Sequence, residues 1–218
     1  MNDFSTGKIP FECRRCGTCC RKGGPGLHHA DLDLVAEKRI PAKDLYTIRM
    51  GELVRDNING GLIYTDTEII KIREAPQATA CSFFIGPENV CGIYDKRPSQ
   101  CRAMHCRDTA EIVGMHVKNR MCRKDLFGGV DWLWEIIEAH EQNCSYVKIR
   151  RIMEQRRAGD TAASHRLAQS ASYDQAVREL AVEKAGMEKE MLDLVFGLPL
   201  AFVLQNRFGI TIHRKSPP

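Results

Sequence analysis

The segment CRRCGTCC places four thiols, Cys13, Cys16, Cys19 and Cys20, within eight residues, and Cys81, Cys91, Cys101 and Cys106 follow further along the chain. Two residues between cysteines let one short loop aim both sulfurs at a single ion, as in structural zinc sites and ferredoxin-type clusters. Cys19 continues that rhythm. Adjacent Cys20 is expected to diverge from its neighbour, which suits a second metal, a bridge or a redox role.

All ten cysteines lie between Cys13 and Cys144, so the chemistry is concentrated in the N-terminal part of the 218 residues. The start, MNDFSTGKIPFEC, has no basic segment followed by an apolar one, so no secretory signal is read and a cytoplasmic location is expected. In a reducing compartment thiols are poor disulfide formers and good metal ligands. The formal charge of +4 is modest, and thiolates bound to a metal would offset part of it.

Along the chain, KGGPG at 22–26 reads as a turn before a helix carrying Leu32, Val35 and Ala36, which Pro41 stops. A second short helix is expected over Ala42 to Met50. The NINGG turn at 57–61 then precedes two strand-like runs, LIYT and TEIIKIR, which fit a small antiparallel hairpin. Pro98 suits the first turn of a helix, which puts Cys101 and Arg102 near its N-terminus, where the helix dipole favours a thiolate.

Beyond Gly128 and Gly129 the pattern is helical, with Trp132, Leu133, Ile136, Ile137 and His140 on one face and SYVKIRRIMEQRRAG continuing with a basic outer face. Residues 159–172 read as a polar connector, followed by helices over about 173–196 and 198–207. The apolar run near 192–204 is too short to span a bilayer and is interrupted by Asp193 and Pro199. The expected fold is mainly α with a small β hairpin: a metal-stapled cysteine-cluster domain over 1–128, then a helical C-terminal extension over 129–218.

The cysteine text resembles a known group. CRRCGTCC, then CSFF, then CGIYDKRPSQCR, with Cys13, Cys16, Gly17, Cys19, Cys20, Cys81, Cys91, Ile93, Tyr94, Arg97, Pro98, Cys101 and Arg102, is similar to the bacterial CxxCxxCC family of zinc- or iron-chelating domains. That group is also called the YkgJ-like cysteine-cluster family, and the likeness covers about residues 11–107. The resemblance implies metal binding. Flagellin lysine N-methylase carries a similar cysteine set and points to an iron–sulfur cluster, although no methyl-donor site is legible here. After Cys101 and Arg102 the text AMHCRD departs from the family's usual aromatic and proline, so Cys106 stands as an added or substituted ligand.

The metal-ligand set read from the sequence is Cys13, Cys16, Cys19, Cys20, Cys81, Cys91, Cys101 and Cys106. A 4Fe-4S iron–sulfur cluster is favoured by the ferredoxin-like run, and zinc remains open because Cys13/Cys16 with Cys101/Cys106 supply two knuckle-like pairs. Arg97 and Arg102 are candidates to donate charge-assisted hydrogen bonds to the cluster, against an ordinary ion pair with Asp95. Cys122 and Cys144 read as buried apolar thiols. His28 and His29, followed by Asp31 and Asp33, read as an acid-decorated helix start rather than a hard-metal site. His105, His116, Arg102, Arg107, Lys118, Arg120, Arg123 and Lys124 read as a solvated basic face.

No Walker loop, dinucleotide fingerprint, nucleophile elbow or His-Glu-x-x-His motif appears, so an enzyme reading rests on the metal alone. The expected function is metal binding in electron transfer, redox sensing or protein modification, with a redox or protein partner. A zinc-based structural or interaction module is the alternative. Neither nucleic-acid nor membrane binding is expected.

Overall fold

The computed structural model describes residues 13–76 and 78–211. The N-terminal stretch in which no secretory signal is read lies outside the described residues up to residue 12. Helix accounts for 48% of the structure, and the sheets are small and two-stranded, so the mainly α class holds.

The sheets arise from nested hairpins. Leu45, Tyr46, Thr47 and Ile48 form β1 (Leu45–Ile48), which pairs antiparallel with β4 (Ile69–Ile72) from Leu45↔Ile72 to Ile48↔Ile69. Inside this pair, β2 (Leu53–Arg55) and β3 (Leu62–Tyr64) form a second one. The helix expected over Ala42 to Met50 is therefore a short 3-10 turn, Ala42–Asp44, followed by strand. All four β1 residues are buried, and a strand covered on both faces loses the alternation that marks strands in sequence. The runs LIYT and IIKI are strands, but they do not pair with each other; each returns to a strand upstream.

The glycine-rich 22–26 segment runs beside β4, with Ile72 N donating to Pro25 O at 3.0 Å and Leu27 N to Ile70 O at 2.7 Å. The approach is close enough that a β-carbon on Gly24 would collide with the Ile72 carbonyl oxygen. A third hairpin, β5 (Phe84–Ile85) and β6 (Val90–Cys91), follows.

Four short helices, α1 (Leu32–Ala36), α2 (Ser99–Arg102), α3 (Ala110–Met115) and α4 (Arg123–Phe127), complete the cysteine-bearing part. Longer helices then follow: α5 (Asp131–Cys144), α6 (Tyr146–Arg157) and α7 (Ala163–Glu183), with the shorter α8 (Leu192–Phe196) and α9 (Leu200–Phe208) at the end. The connector expected over 159–172 is mostly the first half of α7, because its alanines and serines are compatible with helix and Ala163, Leu167 and Ala171 are buried. The expected face of α5 is trimmed: Leu133, Ile137 and His140 are buried while Trp132 is exposed.

One hydrophobic core joins Leu27, Leu45, Ile70 and Ile72 to Leu133, Ile137, Val195 and Phe196, so residues on both sides of 128/129 share it. A second core packs Ile149, Ile152 and Leu167 against Leu200, Val203 and Leu204. Among the described residues no single helix is long and apolar enough to cross a membrane. The apolar residues Leu194, Val195, Phe196, Leu200 and Val203 lie inside these cores.

The two parts are also tied by buried charge. Arg49 is fully buried and donates to Glu141 Oε1 and Cys144 O, each at 3.2 Å, with its guanidinium 4.4 Å from the Tyr146 ring. Arg123, expected on a solvated basic face, is buried instead: it pairs with Glu68, donates to Val195 O at 2.9 Å and reaches the same Glu141 oxygen at 2.8 Å. Glu141 thus bridges two buried arginines, with Glu68 as the second carboxylate at Arg123. Removing one side of a buried charge pair typically costs about 3–5 kcal/mol because the other side is left uncompensated. We expect Glu141→Ala to lose at least ~3 kcal/mol of unfolding free energy in urea titrations; a loss below ~1 kcal/mol would show that water reaches the guanidinium groups.

His140 is buried with its Nε2 2.7 Å from Asp174 Oδ1, and Asp174 also accepts from Arg178 Nε at 3.1 Å and Leu200 N at 2.9 Å. Burial pushes the His140 pKa below its ordinary 6.5, outweighing the Asp174 contact. The folded state therefore binds fewer protons than the unfolded chain just below that value, and stability falls as pH drops from 7 through 6 to 5. His140→Gln should flatten that part of the profile in thermal melts between pH 7 and 5; an identical slope in both proteins would contradict a neutral buried imidazole.

Candidate metal centre

Two separated stretches of chain bring the thiols together. In the first, the backbone turns at Gly17, whose φ of +71° is left-handed, and Arg21 N donates back to Gly17 O at 2.9 Å. A β-carbon on Gly17 would lie 2.5 Å from Phe84 Cζ, so the loop sits directly on the β5–β6 hairpin. Arg21 fixes it there, donating to Cys16 O at 2.9 Å, stacking 5.0 Å from the Phe84 ring centre and bonding Asn89. Within the loop, Arg15 N donates to Cys13 Sγ at 3.4 Å and Cys16 Sγ lies 3.3 Å from Thr18 Oγ1.

The second stretch is pinned to the first through backbone. Cys81 N donates to Cys20 O at 2.8 Å, and Cys91 stands opposite Phe84 in the β5–β6 register. Cys101 rides on α2, whose first residue, Ser99, donates through both N and Oγ to the carboxylate of Asp31, at 2.7 and 2.8 Å. Asp31 is fully buried and also accepts from His28 N at 3.0 Å. The acid expected to decorate its own helix start therefore also caps the Cys101 helix, 68 residues on. Nothing in the spacing of the sequence announces that link.

The thiols fall into two neighbourhoods. Cys20, Cys81, Cys91 and Cys101 lie within electrostatic reach of one another on the inner side. Cys106 is exposed and neighbours Cys13, Cys16 and Cys19, which places the departure from the family pattern beside the first loop. Cys19 belongs to both. Its Sγ is 3.9 Å from Cys20 Sγ, so these adjacent side chains do not diverge as the sequence suggested. The reason is local: Cys19 is in the right-handed helical region and Cys20 opens a 3-10 turn. Two sulfurs on one tetrahedral ion, each at ~2.3 Å from it, stand about 3.8 Å apart.

Protonation follows the crowding. The Cys19 and Cys20 sulfurs share a hydrogen bond, which draws Cys19 down to about 6 and pushes Cys20 far up. Cys101 is also pushed up, by burial first and then by Cys81, Cys91 and Cys19. The dipole expected to favour its thiolate has little force in a four-residue helix.

Arg97 and Arg102 behave differently. Arg97 lies 4.0 Å from the Tyr94 ring centre, its Nε and Nη1 are buried without a hydrogen-bond partner, and its charge lowers the pKa of Cys19 and opposes the rise at Cys101. Arg15 lies 4.4 Å from the same ring, so Tyr94 packs between two guanidinium groups. Arg102 instead donates to Arg97 O at 2.6 Å and approaches Asp31 at 3.9 Å, so its ion pair is with Asp31 rather than Asp95. Of the other thiols, Cys144 is buried in the second core, donates to Ser170 O at 3.3 Å and is pushed up to about 12 by burial. Cys122 is only half-buried and caps α4, its sulfur accepting from the Asp125 backbone.

Among the described residues no three His, Cys, Asp or Glu side chains already stand together as a formed ion site. The donor chemistry nonetheless fits a soft or borderline metal: eight thiols, a sulfur pair at ligand separation, and buried N–H groups beside it. A family model described as "CxxCxxCC: Putative zinc- or iron-chelating domain" matches residues 12–123, just over half of the chain. The chain belongs to the CxxCxxCC family. No curated protein and no solved structure matches it significantly. Metal binding by the cysteine cluster is thus the coarse function of this CxxCxxCC domain.

Gly17→Ala tests the loop. It forces a left-handed β-carbon into the Phe84 ring, at a conformational cost of about 1–3 kcal/mol before any steric term. The variant should bind less metal per chain, measured by elemental analysis, and melt earlier; unchanged metal content would show that the turn does not position the thiols.

Proposed function

We propose that the domain holds a cysteine-ligated iron–sulfur cluster and serves in electron transfer. The observation that carries this reading is the set of Arg97 Nε and Nη1 donors, buried and unpartnered beside the Cys19 and Cys101 thiols. Donors so placed satisfy the sulfur acceptors of an anionic cluster and raise its reduction potential. Cys20, Cys81, Cys91 and Cys101 are the ligands assigned to it, against a shell that includes Phe83, Phe84 and Ile93. When bound, the cluster supplies one-electron redox chemistry. The protein's share is to hold four thiolates, exclude water with the aromatic side chains and compensate charge with Arg97. Cys13, Cys16 and Cys106 form the outer set and are available for a second ion, with Cys19, whose sulfur pairs with that of Cys20, between the two sets. A cluster with all four positions filled by cysteine moves electrons without binding substrate, which favours transfer or sensing over protein modification.

Protein purified without oxygen should be brown and contain iron and acid-labile sulfide. Cys81→Ser and Cys101→Ser should abolish the visible absorbance, whereas Cys106→Ser should retain it. Arg97→Gln should keep the chromophore and lower its reduction potential in a redox titration. Colourless protein carrying zinc alone would overturn the cluster and leave the structural zinc module.

A further inference from the structure

The β2–β3 hairpin has a feature that the metal chemistry does not use. Among the described residues its strands pair only with each other. The bonds Thr65 N to Glu52 O and Asp56 N to Gly61 O, both at 3.0 Å, set which residues bond across the pair. By the alternation of antiparallel ladders, Val54 and Ile63 face each other's backbone, and the N–H and C=O groups of Leu53, Arg55, Leu62 and Tyr64 point to the outer edges. On the β2 side this is borne out by Arg207 Nη1, which donates to the Leu53 carbonyl. The β3 edge has no such cover among the described residues.

That edge also lacks the usual protection. Natural sheets blunt free edges with lysines, prolines, bulges or inward charges, yet the text here is Gly-Gly-Leu-Ile-Tyr-Thr. Leu62, Ile63 and Tyr64 are exposed to 68%, 45% and 43%. A two-stranded hairpin with apolar groups in water on both faces is marginal by itself, so a third strand would complete it.

Charge selects what that strand is. Arg150, on α6, stands 4.7 Å over the Tyr64 ring. Helix α6 carries Lys148, Arg150, Arg151, Arg156 and Arg157 against the single acid Glu154, a surplus equal to the +4 of the whole chain. A second copy would bring the same surplus to the same sheet and be repelled. We infer that the open edge of β3 is a docking site for an extended, acidic segment of a partner protein, which adds as a third strand with its carboxylates on the Leu62/Tyr64 face, towards Arg150 of α6, and its apolar side chains on the opposite face beside Ile63.

The test uses the metal-loaded full chain and a fluorescein-labelled seven-residue peptide alternating glutamate and valine, with a lysine–valine peptide as control. Fluorescence anisotropy should show binding of the acidic peptide only, weakening with salt. Amide exchange at Leu62 and Tyr64 should slow on binding while that at Ile63, already bonded, changes little. Leu62→Pro removes an outward N–H without touching the bonds to β2, and Arg150→Glu reverses the selecting charge. Each should weaken binding at least tenfold, and Arg150→Glu keeps the test decisive if the proline disturbs the hairpin. No binding by the unaltered chain, or undiminished binding by folded Leu62→Pro and Arg150→Glu proteins, would overturn the proposal. So would a concentration-dependent dimer in sedimentation equilibrium that Leu62→Pro abolishes, since the edge would then belong to a second copy.

Discussion

Thiols within electrostatic reach of one another cannot all carry charge unless a cation compensates them. Burial and then mutual repulsion hold Cys81 and Cys101 towards the protonated side, and the hydrogen bond with Cys19, followed by burial, does the same for Cys20. Arg97 provides the local positive charge that acts on Cys19 and Cys101, and a single guanidinium balances only part of the set. A bound metal reverses the balance: its charge stabilises the thiolates, protons leave as it enters, and the binding energy becomes folding energy.

The scaffold brings distant sequence to this point with few devices. Cys20 is delivered by a segment laid along β4, which only a glycine at 24 permits. Cys81 is attached through the Cys20 carbonyl, and Cys101 through Asp31. The flanking hairpins are too short to be stable alone. They gain support from the core built jointly by β1, β4, α5 and α8.

The membership in a metal-chelating cysteine family was legible because its signature is local, with two residues between Cys13 and Cys16 and between Cys16 and Cys19 on one loop. The helical C-terminal region was legible too, from periodicity. What escaped was of longer range. Strand β1 is buried on both faces and carries no alternation, so Leu45–Ile48 passes for helix. Arg123 reads as one more surface cation until Glu68 and Glu141, neither adjacent in sequence, converge on it. Asp31 is one acid among several near a helix start, and its bond to Ser99 exists only once the chain has folded back. The proximity of Cys19 and Cys20 depends on backbone angles, which residue identity alone leaves open.

The sharing of Glu141 bears on how the chain is made. During synthesis, the cysteines from Cys13 to Cys106 leave the ribosome before Glu141 does, and Arg49 and Arg123 also precede it. Their final partners, Glu141, Cys144 O and Val195 O, arrive later. Until then, closing the core around two guanidinium groups carries a desolvation penalty that Glu68 offsets only for Arg123. The core shared by the two parts therefore gains its full charge compensation only when residues from both are present.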